Sequence, residues 1–190
     1  MTHTFFDPAD EGPPALGMVL DEGRGSLPYA LIHGEALVAC AAWALGEAGV
    51  TAIDAGIQWD AVRGAGEPLV LHDSLCPMTP ADFIAACLRR ALDEDAVVVA
   101  VHPVTDTVKL VADGLVGDTV DREGLVTVAS PVVLPASVVA AMVDKPGTDL
   151  VELVAELARS HHVVLVEAPA AARRVSSPDD LPVLEGLTSG

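Results

Sequence analysis

The chain has 190 residues and a formal net charge of −18, from 28 acidic and 10 basic side chains. This acidic balance argues against non-specific nucleic-acid binding, which needs a basic surface, and no apolar run is long enough to span a bilayer. The length favours one domain over 1–190. Three irregularly spaced cysteines and an N-terminus without a secretory pattern lead us to expect a reducing cytoplasm.

Short apolar runs alternate with amphipathic segments along the chain, which is typical of an α/β domain with a mainly parallel sheet and helices on both faces. We predict a loose acidic leader over 1–14 and a turn-rich loop over 21–28. The predicted strands lie over 15–20, 51–55, 69–73, 96–101, 125–129 and 163–166, with a β-hairpin between the strands at 96–101 and 125–129. The predicted helices lie over 34–48, 79–92, 135–143 and 148–160, and a last helix is opened by 177–180. Thr79 is the predicted N-cap of the helix that begins beside it.

The hairpin is predicted from Asp113-Gly114, which stands between two β-rich runs. Asp-Gly favours a type I′ turn because both central residues need a positive φ. Thr107 and Lys109 precede the turn, and Arg122 follows it. We therefore expect a polar ribbon over 104–122 that leaves the body of the protein and returns to it.

Four further patterns carry information beyond secondary structure. They are Leu69-Val70-Leu71-His72-Asp73 with Pro77 and Thr79-Pro80 after it, Pro103-Val104-Thr105-Asp106-Thr107-Val108-Lys109, Thr119-Val120-Asp121-Arg122-Glu123-Gly124-Leu125 leading to Ser130-Pro131, and Val175-Ser176-Ser177-Pro178-Asp179-Asp180-Leu181. In this order and spacing they resemble the methylerythritol phosphate cytidylyltransferase family of isoprenoid biosynthesis. The resemblance covers roughly 69–187, about two thirds of the chain.

The resemblance implies a three-layer, Rossmann-like α/β fold of the nucleotidyltransferase type. It implies that the 104–122 hairpin is a dimerisation arm, which crosses to a second copy and helps to complete its site. It also implies that Asp73, Thr107, Arg122 and Thr148 lie in the sugar-phosphate and metal region, with Asp73 as the candidate metal ligand. Arg174 replaces the family's Lys before the final helix and is a further candidate for ligand binding.

The nucleotide side of the site departs from the family pattern. In the family, a sugar phosphate attacks the α-phosphate of CTP, and the resemblance implies that Mg²⁺, backbone N–H groups of a long Gly-rich loop, and an Arg and a Lys from that loop neutralise the developing charge. Tyr29 stands where the family has this Lys, and Cys76 stands where it has an Arg. No second nucleotide segment is recognisable over 50–69. The loop is abbreviated to 21–27, and its remnant is Gly23, Arg24, Gly25 and Ser26.

These losses concern the nucleotide, while the arm and part of the sugar-phosphate side are kept. We therefore hypothesise a shortened, degenerate family member that has lost nucleotide transfer and acts in binding, regulation or assembly. It would be a homodimer through the arm, or a heteromer with an active paralogue, and we predict no cofactor for it. The alternative is an active, Mg²⁺-dependent cytidylyltransferase with a remodelled nucleotide loop, making CDP-methylerythritol from CTP and methylerythritol phosphate.

Simpler roles are open for every candidate residue. Asp73 could cap a turn at its strand end, and Thr107 could be a strand-end hydrogen-bonding group. Arg122 could pair with an acid across a dimer. Thr148 could cap its helix, and Arg174 could lie in a solvated loop.

Overall fold

A computed structural model describes residues 13–54, 56–104, 108–112, 115–120 and 125–189. The described strands are β1 Leu16–Leu20, β2 Leu31–Ile32, β3 Glu35–Ala36, β4 Thr51–Ala52, β5 Leu69–Asp73, β6 Val97–Pro103, β7 Val108–Ala112, β8 Leu115–Val120, β9 Val126–Leu134 and β10 Val163–Glu167. The described helices are α1 Leu37–Glu47, α2 Trp59–Gly64, α3 Ala81–Glu94, α4 Ala136–Ala141, α5 Leu150–Leu157 and α6 Leu181–Thr188. Within these ranges no helix is both long and apolar enough to cross a membrane.

Six strands form one mixed, mainly parallel sheet in the order β10-β6-β9-β5-β1-β4. β1 lies parallel to β4 and β5, and β10 lies parallel to β6. β9 is inserted antiparallel between β5 and β6. The predicted α/β fold with a mainly parallel sheet is confirmed.

Helices cover both faces of this sheet and give three layers. On one face, α2, α4 and α5 pack on alternate residues of the central strands, including Val97, Val99 and Val101 of β6. On the other face, α1 and α3 pack on the intervening residues, including Val98. β6 is therefore apolar at successive positions because each face of a central strand is covered.

The parallel pairing of β1 with β5 brings two chain ends together at one edge of the sheet. Leu20, the last residue of β1, lies opposite Asp73, the last residue of β5. The loop that follows β1 therefore starts beside the Asp73 carboxylate. This edge, outside the carboxyl ends of parallel strands, is where open α/β sheets bind ligands.

The hairpin strands are confirmed as β7 and β8, which pair antiparallel with Val108 opposite Val120. The Asp113-Gly114 turn lies outside the described residues. The role of the hairpin in dimerisation stays a prediction.

The helix predicted over 34–48 starts three residues later, at Leu37. Glu35 and Ala36 instead form β3, which pairs with β2. Gly34, with φ +86°, permits this tight reversal, because residues with a Cβ rarely adopt such an angle. α2 lies between the strands predicted over 51–55 and 69–73, where no helix was predicted.

Two predicted helix caps are wrong, and one is confirmed. The Thr79 hydroxyl donates to the Cys76 carbonyl oxygen, and the residue at the N-cap of α3 is Pro80. Asp149, not Thr148, caps α5, because its carboxylate accepts the N–H groups of Val151 and Glu152. A capping box between Ser177 and Asp180 opens the final helical segment, as its sequence predicts.

Candidate functional site

A cleft of about 450 Å³ opens at the carboxyl edge of β1 and β5. It collects segments that are far apart in sequence: the loop after β1, the end of β5, the first half of β9, the start of α5 and the approach to α6. The residues lining it are Glu22, Gly23, Arg24, Asp73, Cys76, Thr127, Val128, Ala129, Thr148, Asp149, Leu150, Val151 and Arg174.

The Asp73 carboxylate is the centre of an ion cluster at the wall of this cleft. Its Oδ1 accepts the Arg24 Nε–H at 2.7 Å and the Leu75 backbone N–H at 3.0 Å. Its Oδ2 accepts N–H groups from Arg24 Nη2 at 3.1 Å and from Arg174 Nε at 3.0 Å. Asp73 therefore both caps its own turn and binds two guanidinium groups.

Opposing effects act on the pKa of Asp73. Burial raises the pKa, since it disfavours the charged carboxylate. Hydrogen bonds from Arg24 and the Leu75 amide, the Arg24 charge and the Arg174 hydrogen bond together hold it below its ordinary value. Asp73 is thus an ionised carboxylate at neutral pH, and its charge is already matched by the protein.

Arg24 is directed inward, and its side chain is only 9% exposed. Its Nε and Nη2 groups grip Asp73 in a fork. Nη1 donates to the Glu22 carbonyl oxygen at 2.8 Å, and Nη2 also donates to the Thr148 carbonyl oxygen at 3.0 Å. Four of the five N–H groups of this guanidinium are therefore engaged by the protein itself.

Arg174 differs from Arg24 in exposure. Its side chain is 44% exposed, and its contact with Asp73 uses only Nε. Both Nη groups are without a hydrogen bond to any described residue. Neighbouring Arg173 lies away from Asp73 and approaches Asp180 at 3.8 Å.

A buried serine supports Asp73 from the neighbouring strand. The Ser130 hydroxyl oxygen, on β9, accepts the Asp73 backbone N–H at 2.8 Å and is hydrogen-bonded to His72 Nδ1. Burial lowers the pKa of His72 to about 4, against an opposing effect of the Asp73 charge. His72 is thus neutral at physiological pH and acts as part of the core.

The structure brings together four of the residues predicted for the site: Arg24, Asp73, Thr148 and Arg174. Thr148 contributes its backbone carbonyl. Gly23 also lines the cleft. Ser26, from the same loop remnant, accepts the Tyr29 N–H through its backbone and starts a 3-10 turn.

Other predicted positions have different outcomes. Thr107 and Arg122 lie outside the described residues. Gly25, with φ +60°, is a turn residue of the loop. Cys76 lines the cleft but is buried, and burial followed by the Asp73 charge raises the pKa of its thiol, so it is a protonated, unreactive group.

Sequence reasoning missed two features of the site. The first is the Arg24–Asp73 ion pair, which joins residues 49 positions apart. Arg24 follows β1 and Asp73 ends β5, so predicting that these two strands are neighbours would have brought the opposite charges together. Ser130 was recognised only as part of a motif. Ser130 lies in β9, which places its hydroxyl beside His72 and Asp73. The predicted strand ended at 129, one residue before Ser130.

The arrangement does not fit a resident Mg²⁺ ion. Magnesium requires near-octahedral oxygen ligands, and both Asp73 oxygens already accept hydrogen bonds from cations. No group of three or more His, Cys, Asp or Glu side chains that could hold a metal occurs in the described part of the chain.

Comparison with known proteins shows the family of this chain. A family model for 2-C-methyl-D-erythritol 4-phosphate cytidylyltransferase matches residues 45–188, which is about three quarters of the chain. The chain belongs to this cytidylyltransferase family.

Two curated relatives illustrate the similarity. The 2-C-methyl-D-erythritol 4-phosphate cytidylyltransferase of Bacillus licheniformis is 29% identical over 134 residues, and that of Geotalea uraniireducens is 31% identical over 145 residues. The matches cover 66% and 73% of this chain. The chain spans only 57% and 58% of the lengths of these relatives.

A solved structure shows the same fold over most of the chain. The crystal structure of the Thermus thermophilus enzyme of this name superimposes with a TM-score of 0.66 at 20% identity, covering 92% of this chain and 98% of that one. At this identity the likeness concerns the fold alone.

Proposed function

We propose that this chain is a cytidylyltransferase-family protein that does not transfer a cytidylyl group, and that its cleft binds a small phosphorylated ligand. The observation that carries the proposal is the state of Arg24. The only basic residue of the loop is buried against Asp73 and has four of its five N–H groups engaged.

Nucleotide transfer needs positive charge that is free to meet a triphosphate and its transition state. In this loop, the Arg24 charge is already matched by Asp73. Asp21 and Glu22 precede it and would repel a polyphosphate. The loop therefore offers a nucleotide no basic side chain that is not already paired, where the family reaction would need a cationic surface.

Anion binding is supported by Arg174. Two guanidinium groups face one carboxylate in the ion cluster, which leaves a local excess of one positive charge. The Arg174 side chain lines the cleft and is 44% exposed, and a planar guanidinium can bind a phosphate through two parallel hydrogen bonds. Glu22 and Asp149 also line the cleft. The Asp149 carboxylate is turned to the N–H groups of its own helix, so Glu22 is the acid that a bound anion would have to avoid.

Isothermal titration calorimetry with methylerythritol phosphate, inorganic phosphate and CTP tests this function. We expect saturable binding of methylerythritol phosphate that Arg174→Met weakens by about tenfold or more, the equivalent of one charge-assisted hydrogen bond. Arg173→Met is the matched control, since Arg173 is 54% exposed and pairs with Asp180. Mg²⁺-dependent binding of CTP, or an Arg174→Met variant that binds like wild type, contradicts the proposal.

The arm over 104–122 favours a second copy of the chain as the binding partner. The antiparallel pairing of β7 and β8 is consistent with a protruding ribbon. We expect a homodimer, or a heteromer with an active paralogue, in the cytoplasm. Sedimentation equilibrium of wild type and of a chain lacking 105–122 checks this: the deletion should be monomeric, and an unchanged mass would rule out the arm as the interface.

The second candidate function is cytidylyl transfer itself. Family membership favours it, as does the convergence of Asp73, Thr148 and Arg174 in one cleft. It requires Arg24 to leave Asp73 when substrates bind. A turnover assay separates the two functions.

A further inference from the structure

Arg24 and Arg174 converge on the carboxylate that the family resemblance assigns to the metal region. We propose that these two arginines are the permanent cations of the cleft, so that Asp73 binds no divalent metal and the phosphorylated ligand is bound without one. The second half of this proposal rests on the proposed binding function. The first half concerns Asp73 alone.

The hydrogen-bonding capacity of Asp73 is filled. An ionised carboxylate offers about four lone-pair positions. Each Asp73 oxygen accepts two hydrogen bonds, at 2.7 and 3.0 Å on Oδ1 and at 3.1 and 3.0 Å on Oδ2. A metal ion could bind only by displacing a donor from this set.

Displacement is costly because Arg24 is held by three separate segments. Besides Asp73 on β5, the guanidinium is bonded to the Glu22 carbonyl in its own loop and to the Thr148 carbonyl before α5. With a side chain that is 9% exposed, Arg24 has little access to water that could replace these partners. Breaking such a buried pair leaves two charges without compensation.

The electrostatics of the cluster also oppose a metal. A divalent ion at Asp73 would join two guanidinium groups around a single carboxylate, and like charges a few ångströms apart repel strongly at a partly buried site. By contrast, a phosphate would add negative charge where the cluster has an excess of positive charge. The same geometry therefore disfavours a cation and favours an anion.

Binding of Mn²⁺, measured by water-proton relaxation, tests the first half. Wild type, Asp73→Asn and the control Asp93→Asn, an exposed acid on α3, should bind Mn²⁺ equally weakly through general surface charge. An Mn²⁺ site that is present in wild type and Asp93→Asn but lost in Asp73→Asn would overturn the proposal. The wild-type measurement needs no variant to fold.

The second half is tested by titrating methylerythritol phosphate into wild type with millimolar Mg²⁺ and with EDTA. The two affinities should agree within about twofold. Arg24→Gln, checked for folding by circular dichroism, should bind at least about tenfold more weakly, and Mg²⁺ should not restore binding. Loss of wild-type binding in EDTA, or rescue of Arg24→Gln by Mg²⁺, overturns it.

The two proposals fail separately. Cytidylyl transfer without an Asp73-dependent Mn²⁺ site would reject the proposed function and leave Asp73 metal-free. An Asp73-dependent Mn²⁺ site in a chain without transfer activity would reject the metal-free Asp73 and leave the absence of cytidylyl transfer standing.

Discussion

Arg24 Nε lies 2.7 Å from Asp73 Oδ1, and the two side chains are 9% and 6% exposed. This buried ion pair ties the loop after β1 to the end of β5. It converts the only basic residue of the loop from a group that could meet a ligand into one that completes the wall of the cleft. The stability of the fold and the chemistry of the site therefore depend on the same contact.

Arg24→Met should lower the free energy of unfolding by about 3 kcal/mol, because it leaves the buried Asp73 carboxylate with one guanidinium. Arg90→Met is the control, since Arg90 pairs with Glu94 on the surface of α3 at 48% and 38% exposure. Such a pair is worth below about 1 kcal/mol. Urea denaturation measures both, and equal losses would show that the Arg24 pair is not buried in solution. The double variant Arg24→Met/Asp73→Asn should recover part of the loss.

His72 should make stability depend on pH. Its pKa is lowered by burial from 6.5 to about 4 in the folded state, so the unfolded chain takes up a proton between these values and the folded chain does not. The stabilisation from neutral His72 is complete above pH 6.5 and is lost as the pH falls towards 4, with a slope of up to about 1.4 kcal/mol per pH unit.

His72→Asn should flatten this part of the stability profile, since an amide can still contact Ser130 but does not titrate. His162→Asn, which changes an exposed histidine, should leave the slope unchanged. Chemical denaturation at several pH values checks the prediction. A slope that persists in His72→Asn would assign the pH dependence to other groups.

Ser130→Ala should destabilise the protein by about 1–3 kcal/mol, because it leaves the buried Asp73 N–H and His72 Nδ1 without their partner. Ser137→Ala is a suitable comparison, as that hydroxyl bonds the exposed Asp95 at 2.9 Å. It should change stability by less than about 0.5 kcal/mol. A Ser130→Ala variant as stable as Ser137→Ala would contradict the proposed support of Asp73.

Two glycines should respond in opposite directions to alanine. A Cβ at Gly17 in β1 would lie 2.5 Å from Val50 Cγ1 and 3.1 Å from Leu45 Cδ1, so Gly17→Ala should cost about 1–3 kcal/mol through overpacking. A Cβ at Gly46 in α1 would meet nothing within 4 Å. Gly46→Ala should stabilise by up to about 1 kcal/mol through helix propensity. Thermal unfolding of the pair checks both signs, and stabilisation by Gly17→Ala would show that β1 and α1 pack less closely.

Strands and helices with a clear hydrophobic pattern were predicted correctly from the sequence. The apolar run at 96–101 became β6 because both faces of that strand are covered, and this requirement is visible in the residues themselves. β9 was predicted too short because a proline is normally excluded from a central strand. Pro131 is accommodated beside the register shift opposite Val99 and Val101, where the β6–β9 ladder is already interrupted.

The site was predicted only in part, because its contacts depend on the order of the strands in the sheet. The motifs identified Asp73 and Arg174 as candidates, but the partner of each depends on which strands are neighbours. Arg24 was placed in a remnant of a nucleotide loop, and its inward orientation follows from the parallel pairing of β1 with β5. Similarly, Thr148 and Asp149 are both residue types that cap helices, and the position at which α5 begins, Leu150, makes Asp149 the cap.

The most direct test is an assay of cytidylyl transfer. The purified chain is incubated with CTP, methylerythritol phosphate and Mg²⁺, with an active family enzyme as positive control, and pyrophosphate and CDP-methylerythritol are quantified. Because Arg24 is engaged by Asp73, we predict no product above that of an Asp73→Asn variant over many hours. Catalytic turnover that Asp73→Asn abolishes would contradict this prediction and show that Arg24 leaves Asp73 when the nucleotide binds.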